Sequence, residues 1–192
     1  MTTKPNRRSQ VLLFARNFLK HPRMLGSVIP SSRFLIERLV RQIDFRRARV
    51  VVEYGPGVGT ITREVLRRMR PDAKMVVIEM NDDFVRFLGS SLRDPRLHVV
   101  HGSAADVARI LAELGLERAD YVFSGIPFST MPKPVGEAIV QATRDVLRPD
   151  GRFLVYQFSP AVERMLERVF GTVRSEFEPL NIPPARLWYC TP

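Results

Sequence analysis

From Val50 onward the chain alternates short runs rich in β-branched and aromatic residues with segments of helical spacing. Few architectures accept that rhythm. Strands are expected at Val50–Glu53, Met75–Glu79, Leu97–His101, Tyr121–Ser124 and Arg152–Phe158. Helices are expected at Thr60–Met69, Asp82–Leu92, Ala104–Leu114, Val135–Leu147 and Ala161–Phe170. Strand, helix, strand at this spacing builds βαβ units and hence a parallel sheet. Two final strands, near Val173–Glu178 and Arg186–Cys190, have no helix between them, which predicts an antiparallel hairpin at the edge. The expected fold class is α/β, a doubly wound seven-stranded sheet, mostly parallel, with an antiparallel last strand and N-terminal helices.

The charge is segregated. The formal net charge is +10, and residues 1–50 hold twelve Lys or Arg against only Glu37 and Asp44. The rest of the chain carries eighteen of each sign. A neutral domain thus bears a cationic arm, which seeks a polyanion: nucleic acid or an anionic membrane face. Val11, Phe14, Ala15 and Phe18 recur at helical spacing, with Arg8, Arg16 and Lys20 on or beside the other face, and Pro22 ends the pattern. Such a basic amphipathic helix can lie in a membrane interface or cover an active site. A second helix is expected at Ser32–Gln42, with Ser31 or Ser32 as N-cap. The chain therefore divides into a basic helical segment, 1–48, and a sheet domain, 49–192. No apolar run is long enough to span a bilayer, and the N-terminus lacks the cleavage pattern of a signal peptide. Cys190 stands alone, so no internal disulfide forms, which fits a cytoplasmic setting.

The strongest motif is Glu53-Tyr54-Gly55-Pro56-Gly57-Val58-Gly59, between a strand and a helix. Glycines there let the backbone turn tightly and approach a ligand closely. A dinucleotide site would want its third glycine at position 60, where Thr60 stands. A carboxylate just before the loop also suits a cationic ligand better than a pyrophosphate. Glu79 ends the second strand, where an acid can accept hydrogen bonds from ribose hydroxyls.

This E-x-G-x-G-x-G pattern resembles motif I of the S-adenosylmethionine (SAM) methyltransferases and implies a Rossmann-like class I fold. The resemblance assigns SAM to Glu53, Gly55, Pro56, Gly57, Gly59, Glu79, Met80, Gly102, Ser103, Ala104, Ser124 and Ser31, with Ser103 where the family pattern has Asp, and with no metal. Ser124-Gly125-Ile126-Pro127-Phe128 stands where amino methyltransferases carry motif IV, whose polar first residue orients the acceptor nitrogen and whose aromatic stacks on a flat substrate. Here the polar amide is missing. An aliphatic amine needs an amide less than a base amine does.

Four stretches narrow the resemblance to the bacterial phospholipid N-methyltransferases, distant relatives of the ribosomal RNA adenine dimethylases. They are Phe18–Pro22 with Gly26–Ser32, Glu53–Gly59, Ser124–Pro127 and Asn181–Trp188. The resemblance implies a cytoplasmic, peripherally membrane-associated monomer. It would bind anionic phospholipid through the N-terminal helix and methylate phosphatidylethanolamine stepwise towards phosphatidylcholine. Ser124, Gly125 and Tyr54 are the candidates for the methyl-transfer step, with Ser124 or Tyr54 relaying the proton. Arg186, Lys20, Ile126 and Pro127 are the candidates for the lipid, Arg186 and Lys20 for its phosphate. Ornithine lipid is an alternative acceptor. A ribosomal RNA adenine N6-dimethyltransferase is the rival, favoured by the basic arm; the missing motif IV amide and a chain ending soon after the sheet speak against nucleic acid.

Overall fold

A computed structural model describes residues 31–192. The expected Val11–Phe18 helix and Lys20 lie outside the described residues. Helix α1 (Arg33–Val40) opens on Ser32, whose hydroxyl accepts the Leu35 amide at 3.2 Å. Its face of Leu35, Leu39 and Val40 is buried in the same core as the strands, so this stretch is part of the domain.

The alternation then runs β1 (Val50–Tyr54), α2 (Thr60–Arg68), β2 (Lys74–Glu79), α3 (Asp82–Ser91), β3 (Leu97–His101), α4 (Val107–Glu113), β4 (Ala119–Ser124), α5 (Lys133–Val146), β5 (Leu147–Gln157), α6 (Glu163–Val169), β6 (Thr172–Glu178) and β7 (Ala185–Thr191). Strand β5 begins at Leu147, not at Arg152. Leu147 pairs with Ala119 ahead of a register irregularity, so Pro149-Asp150-Gly151 is carried within the strand instead of breaking it.

The seven strands lie in the order β3-β2-β1-β4-β5-β7-β6. All neighbours are parallel except β7, which runs antiparallel to both β5 and β6. The hairpin is antiparallel as expected, but its second strand slots inside its first. Burial explains this. In β7, Leu187 and Trp188 on opposite faces are both fully buried, whereas most of β6 (Thr172, Arg174, Ser175, Glu176, Phe177) is exposed. A strand apolar on both faces belongs inside a sheet, and a polar one suits its edge.

Side-chain alternation splits the core in two. Val51, Phe123, Leu154 and Leu187 face α1 and α2. Val52, Val122, Val155 and Trp188 face α4, α5 and α6. The chain builds outward from β1 to β3, then returns to β4 on the other side of β1. That reversal opens a crevice at the carboxyl ends of β1 and β4, where open α/β sheets hold ligands.

Candidate active site

The sheet order brings the expected cofactor residues together. They stand at the carboxyl ends of four neighbouring strands: Glu53 and the glycine loop after β1, Glu79 and Met80 after β2, Gly102–Ala104 after β3, and Ser124 after β4. Gly55, Gly57 and Gly59 all have positive φ, at 66°, 56° and 72°. L side chains rarely adopt that conformation, so the loop's shape itself requires glycine. A Cβ on Gly55 would also lie 2.8 Å from Cγ2 of Ile126, which ties the loop to the segment after β4. Arg63 braces the loop from α2, donating to the carbonyls of Val58 at 2.7 Å and Gly59 at 3.4 Å.

Two carboxylates sit under this bare backbone. Glu53 is 2% exposed and accepts the Thr62 hydroxyl at 2.6 Å. Burial pushes its carboxyl up to about 7; the Thr62 bond opposes the rise and the charge of Glu79 adds to it. Glu79 is 4% exposed and accepts the amides of Gly57 at 3.2 Å and Asn81 at 3.0 Å. Burial raises its carboxyl too, against those amide bonds. Two desolvated acids under a cradle without side chains fit a ligand that is cationic and makes backbone contacts. SAM has that chemistry, and when bound it supplies a methyl group on a positively charged sulfur.

The remaining candidates fall into place unevenly. Met80 is 71% exposed, and its carbonyl meets His101 Nε2 at 3.1 Å, closing the ends of β2 and β3 together. Ser103 caps the short turn Ala104–Asp106, accepting the Ala105 amide at 3.2 Å. Tyr54 and Ser124 are register partners, both without exposed surface. The Tyr54 hydroxyl meets Thr143 at 3.1 Å inside the core, and among the described residues Ser124 Oγ has no hydrogen-bond partner. Tyr54 packs in the core cluster facing α5, and Glu53, next to it in β1, projects to the opposite face. Ile126 and Pro127 line the segment after β4, half-buried. Arg186 is exposed on β7, its guanidinium 5.9 Å from the Phe177 ring centroid. Phe128, the aromatic of the motif, is 5% exposed and packed into the core. Among the described residues no group of three or more His, Cys, Asp and Glu could hold a metal.

Two residues that the motifs did not point to, Tyr156 and Gln157, and one given no role by them, Asn181, stand beside the site. Tyr156 and Gln157 end β5, beside the Ser124–Pro127 segment. The Gln157 amide donates to the Ile126 carbonyl, and the Tyr156 ring lies against Gly125 while its hydroxyl is hydrogen-bonded to the Ser31 side chain. Asn181 is 3% exposed; its Oδ1 accepts the Ser32 amide at 2.9 Å and its Nδ2 donates to the Pro183 carbonyl at 2.7 Å. That pair of bonds fastens the start of α1 to the β6–β7 turn. Polar residues closing a strand at the ligand-binding edge were the signal for Tyr156 and Gln157.

Comparisons with known proteins agree with this geometry. Residues 19–141 match the family described as ribosomal RNA adenine dimethylase. The ornithine lipid N-methyltransferase of Singulisphaera acidiphila is 38% identical over 180 residues, which cover 93% of this chain and 94% of that protein. The ribosomal RNA small subunit methyltransferase A of Mycoplasma mycoides is 29% identical over 114 residues, 57% of this chain and 41% of that one. Among solved structures, a TehB-like SAM-dependent methyltransferase from Corynebacterium glutamicum shares the fold, with a TM-score of 0.62 at 12% identity over 92% of this chain and 97% of that one. With its glycine cradle, paired buried acids and this kinship, the chain belongs to the ribosomal RNA adenine dimethylase family and is a SAM-dependent methyltransferase.

Proposed function

We propose that the chain methylates the primary amine of a membrane amino lipid. The observation that carries this reading is the position of Phe128. A planar base needs an aromatic platform beside the motif IV segment, and here the motif's own aromatic is spent in the core. A slim aliphatic amine needs no platform, only a neutral lone pair in line with the methyl group. The ornithine lipid enzyme aligns over 93% of this chain and 94% of its own length, whereas the Mycoplasma mycoides RNA-modifying relative matches over less than half of its own length. Ornithine lipid is therefore placed first among acceptors and phosphatidylethanolamine second.

A bilayer is consistent with the surface at the catalytic end. The β6–β7 turn lies there, because Arg186 pairs with Gln157 at the end of β5. Leu180 and Ile182 in that turn are 57% and 81% exposed, with Phe177 and Arg186 beside them. Exposed apolar side chains beside the Arg186 guanidinium suit an anionic lipid interface. The basic segment 1–30 adds charge of the same sign. In the reaction the chain's own groups do little covalent work: the loop and the two acids hold the donor and orient its methyl group.

The test incubates the purified protein with labelled SAM and three acceptors: vesicles of anionic lipid with ornithine lipid, the same vesicles with phosphatidylethanolamine, and ribosomal RNA. Label is expected in one or both amino lipids. Label in RNA with none in lipid would overturn the proposal.

A further inference from the structure

The Ser-Gly of the motif IV segment has an explanation on the neighbouring strand. The register β4–β5 ends at Ser124↔Val155, so Gly125 and Tyr156 are the next pair along. A Cβ built on Gly125 would strike the Tyr156 hydroxyl and lie 2.5 Å from its Cζ. Gly125 has no positive φ, so the backbone does not demand glycine there; the tyrosine does. Tyr156 projects to the face that holds Glu53, opposite Val155 and Trp188, and away from the core in which the Tyr54 hydroxyl is spent. Gln157 holds the Ile126 carbonyl, which fixes the segment under the ring.

We propose that Tyr156 is the residue that positions the acceptor amine, its hydroxyl standing where a side chain of the motif IV segment would otherwise reach. The proposal rests on the amino-lipid reading and names the group of this chain that selects the amine. In the base-methylating pattern a polar side chain at the first motif position orients the nitrogen. Here that position is Ser124, whose Oγ is buried with no exposed surface. The hydroxyl of Tyr156 supplies an oxygen from the next strand instead. It can accept an N–H of the amine and leave the nitrogen lone pair free. Burial, with the negative field of Glu53 next, holds the phenol well above its usual range, so Tyr156 orients the amine as a neutral hydroxyl and takes no proton from it. The ring also fills the room above Gly125 that a flat base would need. Selection of a thin amine and exclusion of a wide one come from the same side chain.

The experiment uses the full chain and whichever acceptor the wild type labels, so that a failure of the lipid reading shows in the wild type and a failure of this inference only in the variants. Tyr156→Phe removes the hydroxyl and keeps the ring. Its kcat is expected to fall about tenfold, the loss of one hydrogen bond to the amine, while calorimetric SAM affinity stays within error of wild type and Tm drops by no more than the loss of the Ser31 bond accounts for. Wild-type kcat in Tyr156→Phe would overturn the proposal. So would a loss of SAM affinity that matches the loss of rate, since the tyrosine would then be a wall of the donor site. A second readout needs no turnover. Gly125→Ala should lower Tm in the wild-type background and much less in a Tyr156→Ala background, because the small side chain removes the collision. Equal losses in both backgrounds would refute the steric half of the argument.

Discussion

Replacing Glu53 by Gln should make the protein without its donor more stable at alkaline pH while weakening its hold on SAM. Glu53 is buried, and its carboxyl is raised from 4.5 to about 7. A carboxyl raised on folding keeps its proton in the native chain over a pH range where the unfolded chain has released it. Stability therefore falls as pH climbs from 4.5 to 7, and the full cost applies above that window. At about 1.4 kcal/mol for each pH unit of displacement, the cost of holding the bare charge is about 3 kcal/mol. For a chain of this size that corresponds to a Tm difference of about 6–12 °C. The amide keeps an oxygen for the Thr62 hydroxyl and carries no charge. The assay is Tm against pH, from 5 to 8.5, for wild type and Glu53→Gln without donor. The gap between the two should widen in favour of the variant as pH rises, which cancels any constant cost of the amide. SAM restores a countercharge to Glu53, so its binding to wild type should release protons near neutrality, measured by calorimetry in buffers of different ionisation heat. The variant should bind more weakly and release fewer. Melting curves that run parallel across the whole pH range would refute the reasoning.

Two further outcomes follow from the same geometry. Gly59→Ala forces an L side chain to φ 72° with its Cβ 2.7 Å from Leu88 Cδ2; it should cost about 2–4 kcal/mol in urea unfolding and lower SAM affinity. Arg38→Ala strips the guanidinium that lies 2.5 Å from Glu178, a carboxylate whose side chain is 3% exposed. Burial by itself would raise that carboxyl, but Arg38 and the Leu180 amide hold it below its usual range. The stability that this pairing supplies is present above the usual carboxylate range and lost as pH falls through it. Because Arg38 is itself 40% exposed, the loss at neutral pH should be about 1–3 kcal/mol, read from urea midpoints, and should shrink in acid.

Much of the protein was legible one residue at a time. The period of the apolar pattern marks strands and helices because each segment must bury one or both of its own faces. The glycine loop is equally local: three positive φ values in five residues can be met by glycine and by little else. The carboxylates before the loop and at the end of β2 follow from the same short reach, so the α/β class and the candidate donor residues stood in the sequence. The face of a strand is also local, and the doubly apolar β7 beside the polar β6 already held the reason why β7 lies inside. What the chain order could not supply is which side chains meet across elements: the Tyr156 ring over Gly125, Phe128 turned into the core, and Asn181 fastened to Ser32 across 149 positions. These pairings arise only when the whole sheet packs, because a segment's composition records how much of it is buried and carries no label for its neighbour. The candidate donor site was written in local backbone chemistry, and the acceptor site proposed for Tyr156 was decided by tertiary packing.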